Sequence, residues 1–77
     1  MKEFIEYIIT NLVDRPEEVT VQCYEGDKGL IVDVKVAAGD MGKVVGSKGS
    51  IINAIRTIAV TICTRLGMGR IKINLLP

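Results

Sequence analysis

The sequence predicts a two-layer α+β domain, in the order helix, strand, strand, helix, helix, strand, with a three-stranded mixed sheet carrying its helices on one face. Three observations lead there. Apolar residues recur at helical spacing in two separate stretches, at residues 1–14 and 50–66. Three short segments between and after them alternate apolar and polar instead. At 77 residues and 48% hydrophobic content the chain has room for one dense core and no second one.

Phe4, Ile5, Ile8, Ile9, Leu12 and Val13 form the apolar stripe of the first helix, expected from Met1 to Asp14 and stopped by Pro16. Phe4 reads as core. Val19, Val21 and Cys23 then alternate with Thr20, Gln22 and Tyr24, and Leu30, Val32, Val34 and Val36 alternate with Ile31, Asp33 and Lys35. These are two strands, and the glycine-bearing stretch Glu25-Gly26-Asp27-Lys28-Gly29 has the length of a hairpin loop, which makes them antiparallel. Asp40 is placed to cap a short helix with Met41, Val44 and Val45 on its apolar side. Gly46-Ser47-Lys48-Gly49 breaks it, and Ser50 to Leu66 sets Ile51, Ile55, Ile58, Ile62 and Leu66 in a helical row flanked by Ile52, Ala59 and Cys63. Nine of those 17 residues are β-branched, so propensity favours a strand around Val60 to Cys63; length and the alignment of the apolar face favour helix. Gly67-Met68-Gly69 ends it, and Ile71, Ile73 and Leu75 alternating with Arg70, Lys72 and Asn74 form the last strand. A crossover through two helices brings that strand back parallel to the second.

Composition excludes much chemistry. With no histidine there is no Ser-His-Asp or Cys-His arrangement and no HExxH zinc site. Cys23 and Cys63 stand far apart with no second ligand beside either, so they read as small buried hydrophobes in a reducing cytoplasm, and neither metal nor cofactor is expected. No run of 18 apolar residues is free of charge, because Arg56 and Arg65 interrupt the longest, and acidic Glu3 and Glu6 precede any apolar N-terminal run; neither a membrane span nor a signal peptide fits.

The net charge of +1 hides a division. Residues 1–40 hold four Lys/Arg against nine Asp/Glu, a balance of −5, whereas residues 41–77 hold six against none, +6. Such polarisation arises by chance in some small domains, but it also builds a cationic surface suited to polyanions without a basic isoelectric point. The basic half contains the most informative segment, Val44-Val45-Gly46-Ser47-Lys48-Gly49-Ser50-Ile51-Ile52. Two glycines three apart allow a tight turn and, where they face outward, present no side chain. The helix beginning there points free N–H groups and its positive dipole end at the loop, and Lys48 adds a charge with no carboxylate in the segment to oppose it. A P-loop is excluded because the residue five after Gly42 is Ser47 and not glycine, and a dinucleotide fingerprint at Gly67-Met68-Gly69 fails because Lys72 replaces its third glycine and a strand follows. The three aromatics, Phe4, Tyr7 and Tyr24, all precede the basic half, which disfavours readers that stack bases on exposed rings.

With Val44, Val45, Gly46, Gly49 and Ile52 in place, the segment resembles the V-I-G-x-x-G-x-x-I signature of the K-homology (KH) domain, and the element order is similar to the type II arrangement of that family. The resemblance covers residues 1–77 as a single KH domain with its GxxG loop at 46–49; since the chain begins with Met1 and stops after the last strand, it resembles the stand-alone bacterial KH proteins of the KhpA kind. It implies a non-catalytic RNA-binding protein, active in post-transcriptional regulation or RNA chaperoning, that clamps about four unpaired nucleotides of single-stranded RNA. By position, Gly46, Ser47, Lys48 and Gly49 would hold phosphates, Val45 and Ile52 would help form an aliphatic wall, and the strand from Arg70 to Ile73 the opposite one. Lys43, Arg56, Arg70 and Lys72 are further candidate contacts, although Val45 and Ile52 also read as plain core and the cations as plain solvated surface.

Two other readings stand beside it. One is a protein-interaction module with the KH fold and little RNA binding; the other, an enzyme on a phosphorylated metabolite, lacks any base or nucleophile constellation. The family also implies pairing with a larger KH-containing RNA-binding protein. On the long helix, Ala54, Thr57, Ile58 and Thr61 form an edge with no charged residue until Arg65, expected to pack against the same helix of a second copy or a related KH partner, the alternative being weakly polar surface.

Overall fold

In the computed structural model, which describes residues 1–27 and 29–77, the order is α1 (Lys2–Thr10), β1 (Thr20–Gly26), β2 (Gly29–Lys35), α2 (Met41–Val45), α3 (Ser50–Leu66) and β3 (Ile71–Leu76), with short 3₁₀ turns at Pro16–Glu18, Ala38–Asp40 and Ser47–Gly49. The sheet order is β1-β2-β3: β1 is antiparallel to β2 (Val21↔Val34, Cys23↔Val32) and β3 parallel to β2 (Val32↔Ile73, Val34↔Leu75). These registers put Val21, Val32, Val34 and Ile73 on one face, where they join Ile5 and Ile9 of α1, Val44 of α2 and Ile52, Ile55 and Ala59 of α3 in a single core. All three helices therefore cover the same side. The opposite face is open and crossed by a polar row, Gln22, Asp33 and Asn74, in which Asn74 Nδ2 donates to Asp33 Oδ1 at 3.0 Å.

Five local expectations are corrected. α1 ends at Thr10, four residues before Asp14: Asn11 N still reaches Tyr7 O at 3.3 Å, but Leu12 N closes a tighter bond to Ile9 O at 3.0 Å, while Thr10 Oγ1 donates to Glu6 O at 2.8 Å and Asn11 Nδ2 to Tyr7 O at 2.7 Å. Phe4 is 36% exposed, because the buried stripe runs through Ile5 and Ile9 and leaves it on the flank. The β1–β2 ladder continues to Gly26↔Gly29, so the hairpin connection is shorter than the five residues expected; Lys28, one of those five, lies outside the described residues. Asp40 makes no capping bond to α2. Its buried carboxylate instead accepts from the Arg15 amide at 3.0 Å, tying the segment after α1 to the entry of α2. On α3 the buried row is Ile52, Ile55, Ala59 and Cys63, while Ile58 and Leu66 are 45% and 67% exposed. The small residues Ala59 and Cys63 let the helix lie close to the sheet, so the core takes the side the sequence had marked as the flank.

The β-branched residues of α3 do not prevent the helix, since tertiary burial outweighs a few tenths of a kcal/mol per residue. It ends in the paired bonds of a Schellman motif, Met68 N to Cys63 O and Gly67 N to Thr64 O, with Gly67 left-handed. Both cysteines are free thiols; Cys63 is buried, but Cys23, on the edge strand β1, is only half-buried.

Candidate nucleic-acid interface

α2 is closed by Gly46, whose N–H bonds Gly42 O at 2.9 Å and whose backbone then leaves at φ 77°, ψ 179°. Ser47, Lys48 and Gly49 make one 3₁₀ turn before α3 begins, with Lys48 at φ 55° and Gly49 at φ 76°, ψ 14°. Only glycine tolerates the Gly46 conformation without strain, and a β-carbon there would also lie 2.6 Å from Ile51 Cγ1. At Gly49 a β-carbon would meet only Asn53 Nδ2 at 3.4 Å. Gly46 does not face outward as expected but turns its open side onto Ile51 of α3, whereas the space beside Gly49 is largely free; both contribute to the path of the loop.

That path leaves Ser47 and Lys48 exposed at its tip, with Lys48 in the left-handed region at a cost of about 1–2 kcal/mol. α3 starts with no side-chain cap, so its dipole and first N–H groups address whatever sits over the loop. No carboxylate occurs from residue 41 onward, and those residues supply α2, the loop, α3 and β3.

A groove of about 270 Å³ lies between α3 and β3, lined by Arg56 and Val60 on the helix and by Ile71 to Asn74 on the strand. Arg56 Nη2 donates to Ile73 O at 3.2 Å and its Nη1 lies 3.4 Å from Asn53 Oδ1, so the guanidinium spans the groove floor and occupies an outward carbonyl of the edge strand. A ligand meets this cation already positioned. Lys72 also lines the groove, and Arg70 stands just beyond it at the start of β3. Val60, half exposed, is a wall residue that sequence reasoning missed; the signal was its position one helical turn after Arg56 on the same side.

Other candidates fall elsewhere. Ile52 is 5% exposed and belongs to the core, and neither it nor the half-buried Val45 lines the groove. Lys43 is engaged by Asp14, whose carboxylate accepts from its ammonium and raises the lysine pKa above the usual value. A phosphate at Lys43 must compete with that partner. Ala54, Thr57, Ile58 and Thr61 are all exposed on another side of α3. Thr57 and Thr61 return their hydroxyls to the helix, to Asn53 O at 3.0 Å and Thr57 O at 2.9 Å. Among the described residues no group of three or more His, Cys, Asp or Glu could hold a metal ion, and no helix is long and apolar enough to cross a membrane.

Comparison with known proteins agrees with this geometry. Residues 2–75 match the family described as KhpA/KhpB, KH domain. The chain is 49% identical over 65 residues to the RNA-binding protein KhpA of Chlamydia muridarum, covering 84% of this chain and 83% of the relative. With the protein of that name from Chlamydia caviae it shares 44% identity over 75 residues, 97% of this chain and 92% of the relative. The one from Clostridium perfringens is 48% identical over 58 residues, 75% and 77% of the two chains. A GxxG loop at the start of α3, within a helix-strand-strand-helix-helix-strand domain matched over nearly its whole length, places the chain in the KhpA/KhpB family of KH domains.

Proposed function

We propose that this protein is a non-catalytic RNA-binding protein, a single KH domain over residues 1–77, that holds about four nucleotides of single-stranded RNA with its 46–49 loop and the groove between α3 and β3. The observation that carries the reading is the loop: two positions that require or favour glycine hold Ser47 and Lys48 outward at the uncapped start of α3, in a half of the chain without carboxylates. Backbone N–H groups and Lys48 take phosphates, Arg56 and Lys72 carry the charge along the groove, and Val60 and Ile71 give the bases an apolar wall. The relatives' printed name, RNA-binding protein, supports the ligand class. Neither a nucleophile–base pair nor a cofactor enters this scheme, and the cytoplasm is the compartment it fits.

A protein partner fits the same molecule. With their hydroxyls turned back, Thr57 and Thr61 present methyl groups beside Ala54 and the 45% exposed Ile58, a face suited to the same helix of a second copy or of another KH-containing RNA-binding protein. Two linked grooves would raise avidity beyond that of one.

The test is to change Ser47 and Lys48 both to Asp, which alters the loop by three charges and leaves both glycines to hold its path. Binding of single-stranded RNA is expected to be lost with the thermal melt unchanged. An unaltered titration curve would remove the loop from the mechanism.

A further inference from the structure

A second cavity, of about 510 Å³, lies at the end of the sheet where β3 begins, bounded by Gly26, Asp27, Ile31, Arg70, Ile71 and Lys72. Ile71 and Lys72 line both this pocket and the α3–β3 groove, so the two adjoin at the start of β3. Resting on the RNA reading above, we propose that the pocket receives the base of a further nucleotide of the bound strand, one leaving the groove at its Lys72 end, and so lengthens the binding site beyond the four-nucleotide clamp.

Three features fit that occupant. The pocket is built on a fixed backbone: Leu30 N donates to Arg70 O at 2.7 Å, an approach open only because Gly29, at φ 129°, has no side chain, since a β-carbon there would lie 2.2 Å from that same oxygen. The Arg70 backbone is thereby held at the rim of the pocket, with the residue exposed. The walls are of the right kind for a base without an aromatic platform. Gly26 contributes no side chain, Ile31 and Ile71 are aliphatic and half-buried, and a guanidinium such as that of Arg70 stacks on a base plane or bonds a phosphate. The rim supplies polar partners as well: Arg70 and Lys72 offer cations to a phosphate, and the Asp27 carboxylate is an acceptor for the amino group of cytosine, adenine or guanine.

The experiment compares single-stranded oligonucleotides of four, five and six residues, extended at one end or the other, together with six-residue versions whose added positions are abasic. Extension at one end is expected to tighten binding about fivefold to tenfold, the abasic extension to lose most of that gain, and extension at the other end to do little. Gly26→Val fills the pocket from a strand position without positive φ, where its β-carbon lies 3.2 Å from the movable Ile31 Cδ1; Ile31→Ser removes the aliphatic wall instead. Each is expected to abolish the length increment while leaving the tetranucleotide affinity as it was. An absent increment, an equal increment from abasic extension, or an increment surviving both variants overturns the pocket. Failure to bind any of the oligonucleotides overturns the RNA reading itself, and this proposal with it.

Discussion

The two loop glycines make different demands, and replacing each with alanine should separate them. At Gly46 the backbone angles fall where a side chain costs about 1–3 kcal/mol, and the new methyl would stand 2.6 Å from Ile51 Cγ1, adding an overpacking cost of about 1–3 kcal/mol. At Gly49 the left-handed angles alone cost about 1–2 kcal/mol, because the nearest atom, Asn53 Nδ2 at 3.4 Å, is in ordinary contact. Both substitutions recover about 0.4–1 kcal/mol by restricting the unfolded chain. The net expectation is a loss of about 3 kcal/mol for Gly46→Ala and about 1 kcal/mol or less for Gly49→Ala, from a total of roughly 4–12 kcal/mol for a domain of this size. In a thermal melt at about 4–8 °C per kcal/mol, this is a fall of roughly 12–24 °C against one of no more than about 8 °C. Gly49→Asn should recover part of the smaller loss, since asparagine tolerates left-handed angles. Equal losses, or a larger one at Gly49, would refute the claim that Ile51 packing fixes the loop at its first glycine.

Thr61→Lys sets a charge among Ala54, Thr57 and Ile58 without touching the buried row of α3, and should give a folded monomer by light scattering coupled to size exclusion; a wild-type protein already monomeric at high micromolar concentration sinks the homodimer. Asp40→Ala leaves the Arg15 amide without its acceptor and should cost about 1–3 kcal/mol in chemical denaturation, whereas Asp40→Asn, which keeps an oxygen there, should cost less; equal effects would deny that bond its importance. The stability that three groups contribute should be present at neutral pH and decline as pH rises beyond about 9. Burial raises the Cys23 pKa above its ordinary 9.0, the neighbouring Asp33 carboxylate raises the Tyr24 phenol above 10.0, and Asp14 raises Lys43 above 10.5, so in each case the folded state holds the proton more tightly than the unfolded one. A melting temperature flat or rising between pH 9 and 11 would contradict that sign.

The element order, the sheet and the loop were legible because each rests on a local signal: period-2 alternation in the strands, a glycine pair at 46 and 49, a glycine after Leu66. What escaped depended on competition between partners far apart in sequence. Asp40 looks like a helix cap until the Arg15 amide, 25 positions away, is brought beside it. The apolar arc of α3 extends beyond the part that is buried, and only the docking of Ala59 and Cys63 against the sheet decides which part that is. Arg56 reads as a solvated cation at the edge of that arc, and nothing in sequence spacing reveals that Ile73 offers it a carbonyl. The cationic half was legible as composition, but Lys43 had to be seen beside Asp14 before its charge could be discounted.

The parallel pairing of β2 with β3 has a kinetic consequence. Asp33 and Asn74, which bond across it, lie 41 positions apart, whereas the β1–β2 hairpin closes between Gly26 and Gly29. The hairpin and α3 can form from near neighbours, but β3 docks only after a long chain closure, which places its arrival late on the folding route. Because β3 supplies one wall of the groove, the partly folded chain lacks a binding site and leaves the edge of β2 open to pairing with other chains. A strand of RNA spanning both walls would select the closed form, adding about 2.7 kcal/mol at one hundred times its dissociation constant. The ligand would then act as a conditional brace: abundance of its RNA would slow the loss of the protein to aggregation and proteolysis, and scarcity would hasten it.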